Sequence, residues 1–366
     1  MSVTQDAVLQ ALRTVQDPEL FKDIVTLNMV KDIKVCEGFV SVSVELTTPA
    51  CPLKDRIKND VTQAVMKVPG VTGVNVNFTA NVRQPAPAGQ PAPRKVLPGV
   101  KNVIAVGAGK GGVGKSMVAV NLAVGLALQG ARVGIMDGDI YGPSVPTMVG
   151  LGPQPPAVRG EHIIPFEVGP VENPIRVMSI GFMVDREKAL IWRGPMAHGA
   201  IKQFLEQVDW GDLDYLIVDL PPGTGDVSLT LAQTVPLTGA VIVATPQEVA
   251  LMDARRAVRM FQQLGVEILG VVENMSYFVC EHGTEYDIFG RGGAKLMAET
   301  MGLPYLGEIP IDMSIRVHSD KGDPYENFKA SASSGHLTAL VQALAGQVTV
   351  RNTNRPAARQ VNLQVS

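Results

Sequence analysis

One stretch of eight residues combines the glycines and side chains that could hold a phosphate. Residues 109–116 read Gly-Lys-Gly-Gly-Val-Gly-Lys-Ser and match the pattern G-x-x-x-x-G-K-[ST]. Glycines let the backbone approach phosphate oxygens, and the N–H groups at a helix start face the negative charge. In this pattern Lys115 reaches the β and γ oxygens, and the Ser116 hydroxyl ligates Mg²⁺. The predicted nucleotide-binding residues of the loop are Gly109, Gly111, Gly112, Val113, Gly114, Lys115 and Ser116.

Acidic side chains follow two further apolar runs that are predicted strands. Asp137 and Asp139 come directly after residues 133–136, and Asp219 closes the run 215–218. Carboxylates at strand ends can contact the Mg²⁺ shell, as we expect of Asp137 and Asp219, and acids such as the Asp137 and Asp139 pair can orient an attacking water. For Asp-Gly-Asp, a turn without a catalytic role is the alternative.

Two groups that follow strands are predicted to complete the site. Asn274 comes after the apolar run 268–272, and its amide can donate and accept at once, which suits an adenine edge. Gly223 lies in the loop after Asp219, where its N–H could face the γ-phosphate. Such a contact would make that loop a switch that is ordered by ATP and released on hydrolysis.

The elements that position these residues alternate short apolar strands with helical patterns. This alternation predicts an α/β P-loop NTPase whose mostly parallel sheet is flanked by helices, preceded by a small α+β domain. Ligands of such sheets bind at the carboxyl ends of the strands, where the acids and the glycine loop fall. The predicted boundaries are 1–83 for the α+β domain, 84–97 for a Pro/Ala-rich linker, 98–347 for the nucleotide domain and 348–366 for a disordered tail.

Composition excludes several classes of protein. The 366 residues are 46% hydrophobic and 18% charged with a net charge of −3, which is typical of a globular protein and gives no support for a nucleic-acid partner. The sequence contains no apolar run of about 18 residues, the length that would predict a membrane span. The three cysteines, Cys36, Cys51 and Cys280, are too few and too widely spaced for a disulfide framework. We therefore expect a cytoplasmic protein without a membrane partner.

Taken together, the motifs resemble the Mrp/ApbC family of iron–sulfur cluster carrier ATPases, which are relatives of the MinD/ParA deviant-Walker proteins. The small domain is similar to the PaaD/SufT-like module that is often fused in front of such ATPases, with matches at residues 17–19 and 46–52. The main resemblance extends over roughly residues 95–345. The segments that carry it are 109–116, 137–144, 192–196, 218–226 and 273–278.

The resemblance implies a homodimer that sandwiches ATP and Mg²⁺ at its interface. Lys110 would then cross to the nucleotide of the partner and stabilise the transition state, so that Lys110, Lys115 and Asp139 form the catalytic set. An arginine finger acts in the same way in GTPases and is worth about 10³–10⁵ in rate. The implied partners are apo iron–sulfur proteins and assembly scaffolds.

The resemblance also implies an iron–sulfur cluster that bridges two subunits and is held by a C-x-x-C from each, with 4Fe–4S as the candidate type. Here Cys280 is present, but Gly283 stands where the second cysteine belongs. Clusters usually take four thiolates, with histidine replacing some of them in certain proteins. His282 or Cys51 could supply the missing ligands, and the third alternative is a protein without a stable cluster.

Three functions stay open at this stage. The first is an ATPase that carries clusters to apo-proteins, and the second is a MinD/ParA-type positioning switch on membrane or DNA. A switch should carry a basic amphipathic helix or a basic stripe, and neither is evident in the sequence. The third is an ATP-dependent scaffold of cluster assembly without a cluster of its own, which the missing second cysteine favours.

Overall fold

In the computed structural model the chain forms two compact units. One unit comprises residues 1–84 with 345–356, and the other comprises residues 85–344 with 357–366. The predicted linker, apart from residue 97, and the tail from residue 355 lie outside the described residues. The structure describes residues 3–18, 20, 22–36, 38–51, 53–82, 97–140, 142–182, 194–223, 225, 237–329 and 331–354.

The first unit is built on a three-stranded sheet with β4 in the middle, antiparallel to β3 and parallel to β5. Val40, Val42 and Val44 alternate with half-buried residues along β4, so that one face of the strand enters the core. Two helices cover this sheet through residues such as Leu12 and Ile57. The elements are α1 (Gln5–Leu12), β1 (Gln16–Asp17), β2 (Lys22–Asp23), β3 (Val30–Cys36), β4 (Phe39–Leu46), α2 (Lys54–Met66) and β5 (Gly73–Ala80).

The second unit contains the large sheet, with nine strands among the described residues in the order β10-β11-β7-β12-β6-β13-β14-β15 and β16 beside β14. All pairings are parallel except those of β10 and β15. The strands are β6 (Val100–Ala108), β7 (Val133–Asp137), β8 (Val158–Arg159), β9 (His162–Ile163), β10 (Phe166–Val168), β11 (Ile175–Ser179), β12 (Leu213–Asp219), β13 (Gly239–Ala244), β14 (Ile268–Val279), β15 (Glu285–Tyr286) and β16 (Tyr305–Ile311), of which β8 and β9 form a separate hairpin.

Strand β6 occupies the position that decides where a ligand binds. It lies between β12 and β13, and the chain passes from β6 to β7 on the β12 side before it returns to β13 on the other. The strand order therefore reverses beside β6, which is where open α/β sheets bind ligands. The glycine loop follows β6 directly. The helices of this part are α3 (Lys115–Leu128), α4 (Val145–Met148), α5 (Gly194–Gln207), α6 (Glu248–Gln263), α7 (Gly293–Met301) and α8 (Met313–Lys321). The last helix, α9 (Ser334–Asn354), begins in this unit, and its residues from 345 onward are counted with the first.

The last helix corrects one sequence-based prediction. Helix α9 continues to Asn354, so the disordered tail predicted from residue 348 is wrong for residues 348–354. Val348 and Thr349 are buried, and this burial stabilises the helix beyond the predicted boundary. None of the helices in the described ranges has the length and apolar character needed to cross a lipid bilayer.

Candidate nucleotide site

The glycine loop has the backbone geometry that its sequence demands. Gly112 and Gly114 have φ angles of 82° and 80°, a left-handed conformation that side chains with a Cβ rarely adopt. A Cβ on Gly109 would lie 2.1 Å from the carbonyl carbon of Asp253 in α6, so only glycine fits there. Gly111 and Gly112 are exposed, which leaves their backbone accessible to a ligand.

Lys115 begins α3 and lies at the centre of a buried cluster of charges. Its Nζ is 2.6 Å from Asp219 Oδ1 and 3.1 Å from Ser116 Oγ, and 3.5 Å from Asp139 Oδ2. Lys115 is 7% exposed and Asp219 is fully buried, so this ion pair is shielded from water. The predicted catalytic lysine and two of the predicted acids therefore meet at one point.

Asp219 and Asp137 form a crowded pair of carboxyls below the loop. Burial raises the pKa of Asp219, while the Lys115 ammonium opposes that rise. Burial, followed by the charge of Asp219, raises the pKa of Asp137 to about 8. The site thus holds more acid groups than one ammonium can neutralise, a condition that favours a further cation.

Asp137 and Asp139 are positioned by the turn that follows β7. Asp137 Oδ1 accepts from the Asp139 N–H at 3.1 Å, and its Oδ2 accepts from the Val145 N–H at 3.2 Å and the Ser179 hydroxyl at 3.0 Å. Asp137 therefore organises the turn, and its contact with Mg²⁺ stays a prediction. Asp139 is buried, and its Oδ1 accepts from the Gly142 N–H at 3.3 Å.

Two residues that were predicted to contact the nucleotide also make hydrogen bonds within the protein that the sequence did not indicate. Asn274 is 1% exposed, and its Nδ2 donates to the Val113 carbonyl at 2.8 Å, so that it braces the glycine loop from below. The Gly223 N–H donates to the Ala108 carbonyl at 3.0 Å. A contact of Asn274 with adenine and one of Gly223 with phosphate stay predictions, and the second requires that this backbone bond opens.

Lys110 belongs to the same loop as Lys115, but it is exposed to solvent whereas Lys115 is buried. The Lys110 side chain is exposed, and no ion pair joins it to another residue of the described ranges. An exposed cation beside an accessible phosphate loop is free to reach a ligand outside its own chain.

The oxygen donors beside Lys115, at the start of α3, fit a magnesium ion. Mg²⁺ prefers oxygen ligands and usually keeps several waters while binding one or two protein groups and substrate phosphates. Ser116 offers a hydroxyl, and Asp219 Oδ2 is a buried oxygen without a hydrogen-bond partner in the described part of the chain. Ser116 and Asp219 are therefore the residues that would hold this ion.

Cys280 directly follows strand β14, in the turn of the small hairpin that β14 forms with β15. The Cys280 N–H donates to the Thr284 carbonyl at 3.0 Å and the Gly283 N–H donates to the Cys280 carbonyl at 2.9 Å, while β15 pairs with the end of β14. The backbone N–H groups of His282 and Thr284 lower the pKa of the Cys280 thiol. His282 is exposed, and its Nε2 is 3.6 Å from the carboxylate of Glu281.

The other cysteine proposed for a cluster, Cys51, belongs to the first unit, where it is half-buried against the core. Within the described ranges, no group of three or more His, Cys, Asp or Glu side chains is arranged to hold a metal ion. The described residues of one chain thus do not present a complete ligand set for a cluster.

A polar network beside Cys280 was missed by sequence reasoning. Arg291 donates to Glu285 at 2.6 Å and to Glu308 at 2.8 Å, and its guanidinium lies 3.9 Å from the ring centre of Tyr277. The buried Glu273 accepts from the N–H groups of Gly292 and Ala294 at 2.7 Å each, which caps α7. The sequence signal that could have indicated this network is Glu273, an acidic residue at the end of an apolar run.

The reversal of strand order at β6, the glycine loop and the buried Lys115–Asp219 pair define a P-loop NTPase. Among solved structures, a nucleotide-binding protein of Archaeoglobus fulgidus in complex with ADP is 42% identical, covers 63% of this chain and 90% of its own, and has a TM-score of 0.56. The cell division ATPase MinD of Pyrococcus furiosus is 23% identical, covers 66% of this chain and 97% of its own with a TM-score of 0.51, and shows the fold alone.

The sequence comparisons then specify the family. The family described as NUBPL iron-transfer P-loop NTPase matches residues 99–348, and a family of iron–sulfur cluster assembly proteins matches residues 5–78. An iron–sulfur cluster carrier protein of Deinococcus radiodurans is 52% identical over 94% of this chain and 96% of its own length. A protein of the same name from Synechocystis sp. is 50% identical over 95% of this chain and 99% of its own. The chain belongs to this family of iron–sulfur cluster carrier NTPases, which confirms the resemblance seen in the sequence.

Proposed function

We propose that the protein hydrolyses ATP and uses the nucleotide to carry iron–sulfur clusters to apo-proteins as a homodimer. The observation that carries the proposal is the buried Lys115–Asp219 ion pair at the end of the glycine loop. The ADP complex of the Archaeoglobus fulgidus relative and the names of the family members support it.

Asp219 keeps the Lys115 ammonium in place and compensates its charge. An incoming phosphate would offer Lys115 a new anionic partner, and Asp219 would then be free to hold Mg²⁺ together with Ser116. Mg²⁺ held there would supply charge neutralisation to the phosphate groups. Charge balance is therefore preserved when nucleotide enters, since each buried charge exchanges one partner for another.

Two residues would act on the reacting phosphate. Asp139, buried and held by the Gly142 N–H, would orient the attacking water. Lys110 would act across a dimer interface on the nucleotide of the partner, which its exposure permits. Such a cation compensates the charge that develops in the transition state, a role worth about 10³–10⁵ in rate for arginine fingers.

The cargo would bind at the Cys280 turn, where two backbone N–H groups favour the thiolate that iron prefers. Two chains supply only two Cys280 sulfurs, so further ligands are needed for the usual set of four. His282 of each chain or Cys51 of each chain would complete the set. The transferred cluster is the substrate of this protein, and apo iron–sulfur proteins and assembly scaffolds would be its partners.

Turnover of ATP by the purified protein tests the nucleotide half of the proposal. We expect phosphate release that is lost in Lys115→Ala and in Lys110→Ala, whereas ATP binding persists in Lys110→Ala. A wild-type protein that binds ATP without releasing phosphate would contradict the proposed hydrolysis.

Anaerobic reconstitution with iron and sulfide tests the cargo half. We expect iron and sulfide to bind to the wild type and not to Cys280→Ser. Loss in Cys51→Ser with retention in His282→Ala would identify Cys51 as the second ligand, and the reverse would identify His282. A Cys280→Ser variant that assembles a full cluster would refute the cargo site.

A second candidate function is an ATP-dependent scaffold of cluster assembly that has no stable cluster of its own. Gly283 in the position of the second cysteine favours it. The scaffold would hydrolyse ATP and bind assembly partners, yet retain no iron after reconstitution and desalting. The iron content of the reconstituted wild type separates it from the carrier.

A further inference from the structure

Strand β14 connects the nucleotide site to the Cys280 turn that follows the strand. Asn274 lies under the glycine loop, and Cys280 lies only six residues further along the chain. The contact at the loop end is tight, since a Cβ on Gly114 would lie 2.1 Å from Asn274 Nδ2. A displacement of the Gly114 backbone must therefore displace Asn274 or break its bond to Val113.

The segment between these two ends is irregular. Asn274 pairs with Ile309, and Phe278 pairs with Ile311. Phe278 follows Asn274 by four residues, whereas Ile311 follows Ile309 by two, so β14 has two extra residues in a bulge. Met275 has a φ of 57°, an uncommon left-handed conformation for a residue with a branched or long side chain. A bulge of this kind can change its pairing without unfolding the strand, because its extra residues are not locked in the ladder.

Polar contacts fix the bulge and the hairpin to the rest of the domain. The Ser276 hydroxyl lies 2.7 Å from Glu273 Oε1 and 2.8 Å from Glu308 Oε2, and its single hydrogen can serve only one of them at a time. Arg291 bridges Glu308 of β16 and Glu285 of the hairpin. Arg291 therefore holds the hairpin and also contacts Glu308, the residue that Ser276 of the bulge contacts.

We propose that β14 couples the nucleotide site to the Cys280 turn, with Asn274 sensing the position of the glycine loop and Arg291 holding the hairpin that responds. Arg291 is a positioning residue in this scheme, since its contacts are with Glu285, Glu308 and the ring of Tyr277. The proposal rests on the proposed function in taking Cys280 as the cargo ligand. The coupling itself is a property of the nucleotide domain, and it can be measured without a cluster.

The experiment uses Cys280 as its own reporter. In a Cys36→Ser/Cys51→Ser background Cys280 is the last thiol of the chain, and its alkylation by iodoacetamide is timed without nucleotide, with Mg·ADP and with a non-hydrolysable Mg·ATP analogue. We expect rate constants that differ by at least about fivefold between nucleotide states, the lower end of ordinary coupling between sites. The ratio should not depend on protein concentration, because the coupling acts within one chain.

The Arg291→Met variant should lose this dependence on nucleotide while a fluorescent nucleotide still binds. Arg316→Met is the matched control, because Arg316 makes an exposed ion pair with Asp320 on α8 and should keep the full response. If Arg291→Met fails to fold, Glu285→Gln removes only the hairpin side of the bridge and should reduce the response.

The outcomes separate the coupling from the proposed function. Equal alkylation rates in all states of a nucleotide-binding wild type, or an unchanged ratio in Arg291→Met, would overturn the coupling. A ratio that vanishes on dilution would assign the effect to a dimer interface and would also overturn it. Failure of reconstitution with iron and sulfide would refute the cargo site alone, since the alkylation assay contains no iron.

Discussion

Replacement of Lys115 by methionine tests the charge cluster of the nucleotide site. The substitution keeps most of the side-chain volume and removes the ammonium that lies 2.6 Å from Asp219 Oδ1. Asp219 is fully buried, so a carboxylate is left without its counter-charge. Removal of one partner from a buried ion pair costs about 3–5 kcal/mol. We expect a loss of this size in the free energy of unfolding of nucleotide-free protein at pH 7.

The loss should shrink as the pH falls. The ammonium opposes the rise of the Asp219 pKa that burial causes, so its removal raises that pKa further. The folded variant then holds a proton that the unfolded chain has released above the ordinary value of 3.8. Wild-type Asp219 also has a raised pKa, so the two proteins differ only between the folded pKa of wild type and the higher one of the variant. In that range the free energy of unfolding of the variant falls with rising pH by up to about 1.4 kcal/mol per pH unit relative to wild type.

Urea unfolding at pH 6, 7 and 8, followed by tryptophan emission, measures both effects, since Trp210 is buried in the second unit. Lys110→Met is the matched control, because Lys110 is exposed on the same loop and its loss should change stability by no more than about 0.5 kcal/mol. Equal stability of Lys115→Met and wild type at all three pH values would refute the buried-pair argument.

Three further substitutions test the supports of the site. Asn274→Ala leaves the carbonyl of the glycine loop without its donor and should lower the free energy of unfolding by about 1–3 kcal/mol in urea titrations; an unchanged midpoint would contradict the brace. Gly109→Ala places a Cβ 2.1 Å from the Asp253 backbone, and we expect weaker binding of a fluorescent nucleotide, whereas wild-type affinity would show that the loop yields easily. Glu273→Ala removes the acceptor for the N–H groups at the start of α7, and faster amide exchange at Ala294 should report the lost cap.

The strands and the phosphate loop could be predicted because their signals are local. The strands β6, β7, β12 and β13 are five to nine residues long and each is built around an apolar run, and the glycine pattern favours a left-handed backbone. The family resemblance followed from several such segments in order, and the comparisons confirm it. The end of α9 was misjudged, because burial of Val348 is a property of packing that the polar appearance of the tail conceals.

The partners of the site residues could not be predicted in the same way. Lys115 and Asp219 are separated by 104 positions, and Asn274 and Val113 by 161. The contact of Asn274 with the nucleotide stays a prediction, and the sequence did not indicate that its amide also donates to the Val113 carbonyl of the glycine loop. Arg291 carries no motif, and it gains its importance only because the fold brings Glu285, Glu308 and the ring of Tyr277 around it.

Residue type and spacing therefore decided the class of fold, the phosphate loop and the set of acids at the strand ends, because backbone conformation and strand formation depend on near neighbours. The tertiary structure alone decided which acid compensates Lys115, what Asn274 holds and how the Cys280 turn is fixed to the domain. These contacts depend on the order of strands in the sheet and on the bulge in β14, and both arise from packing between segments far apart in the chain.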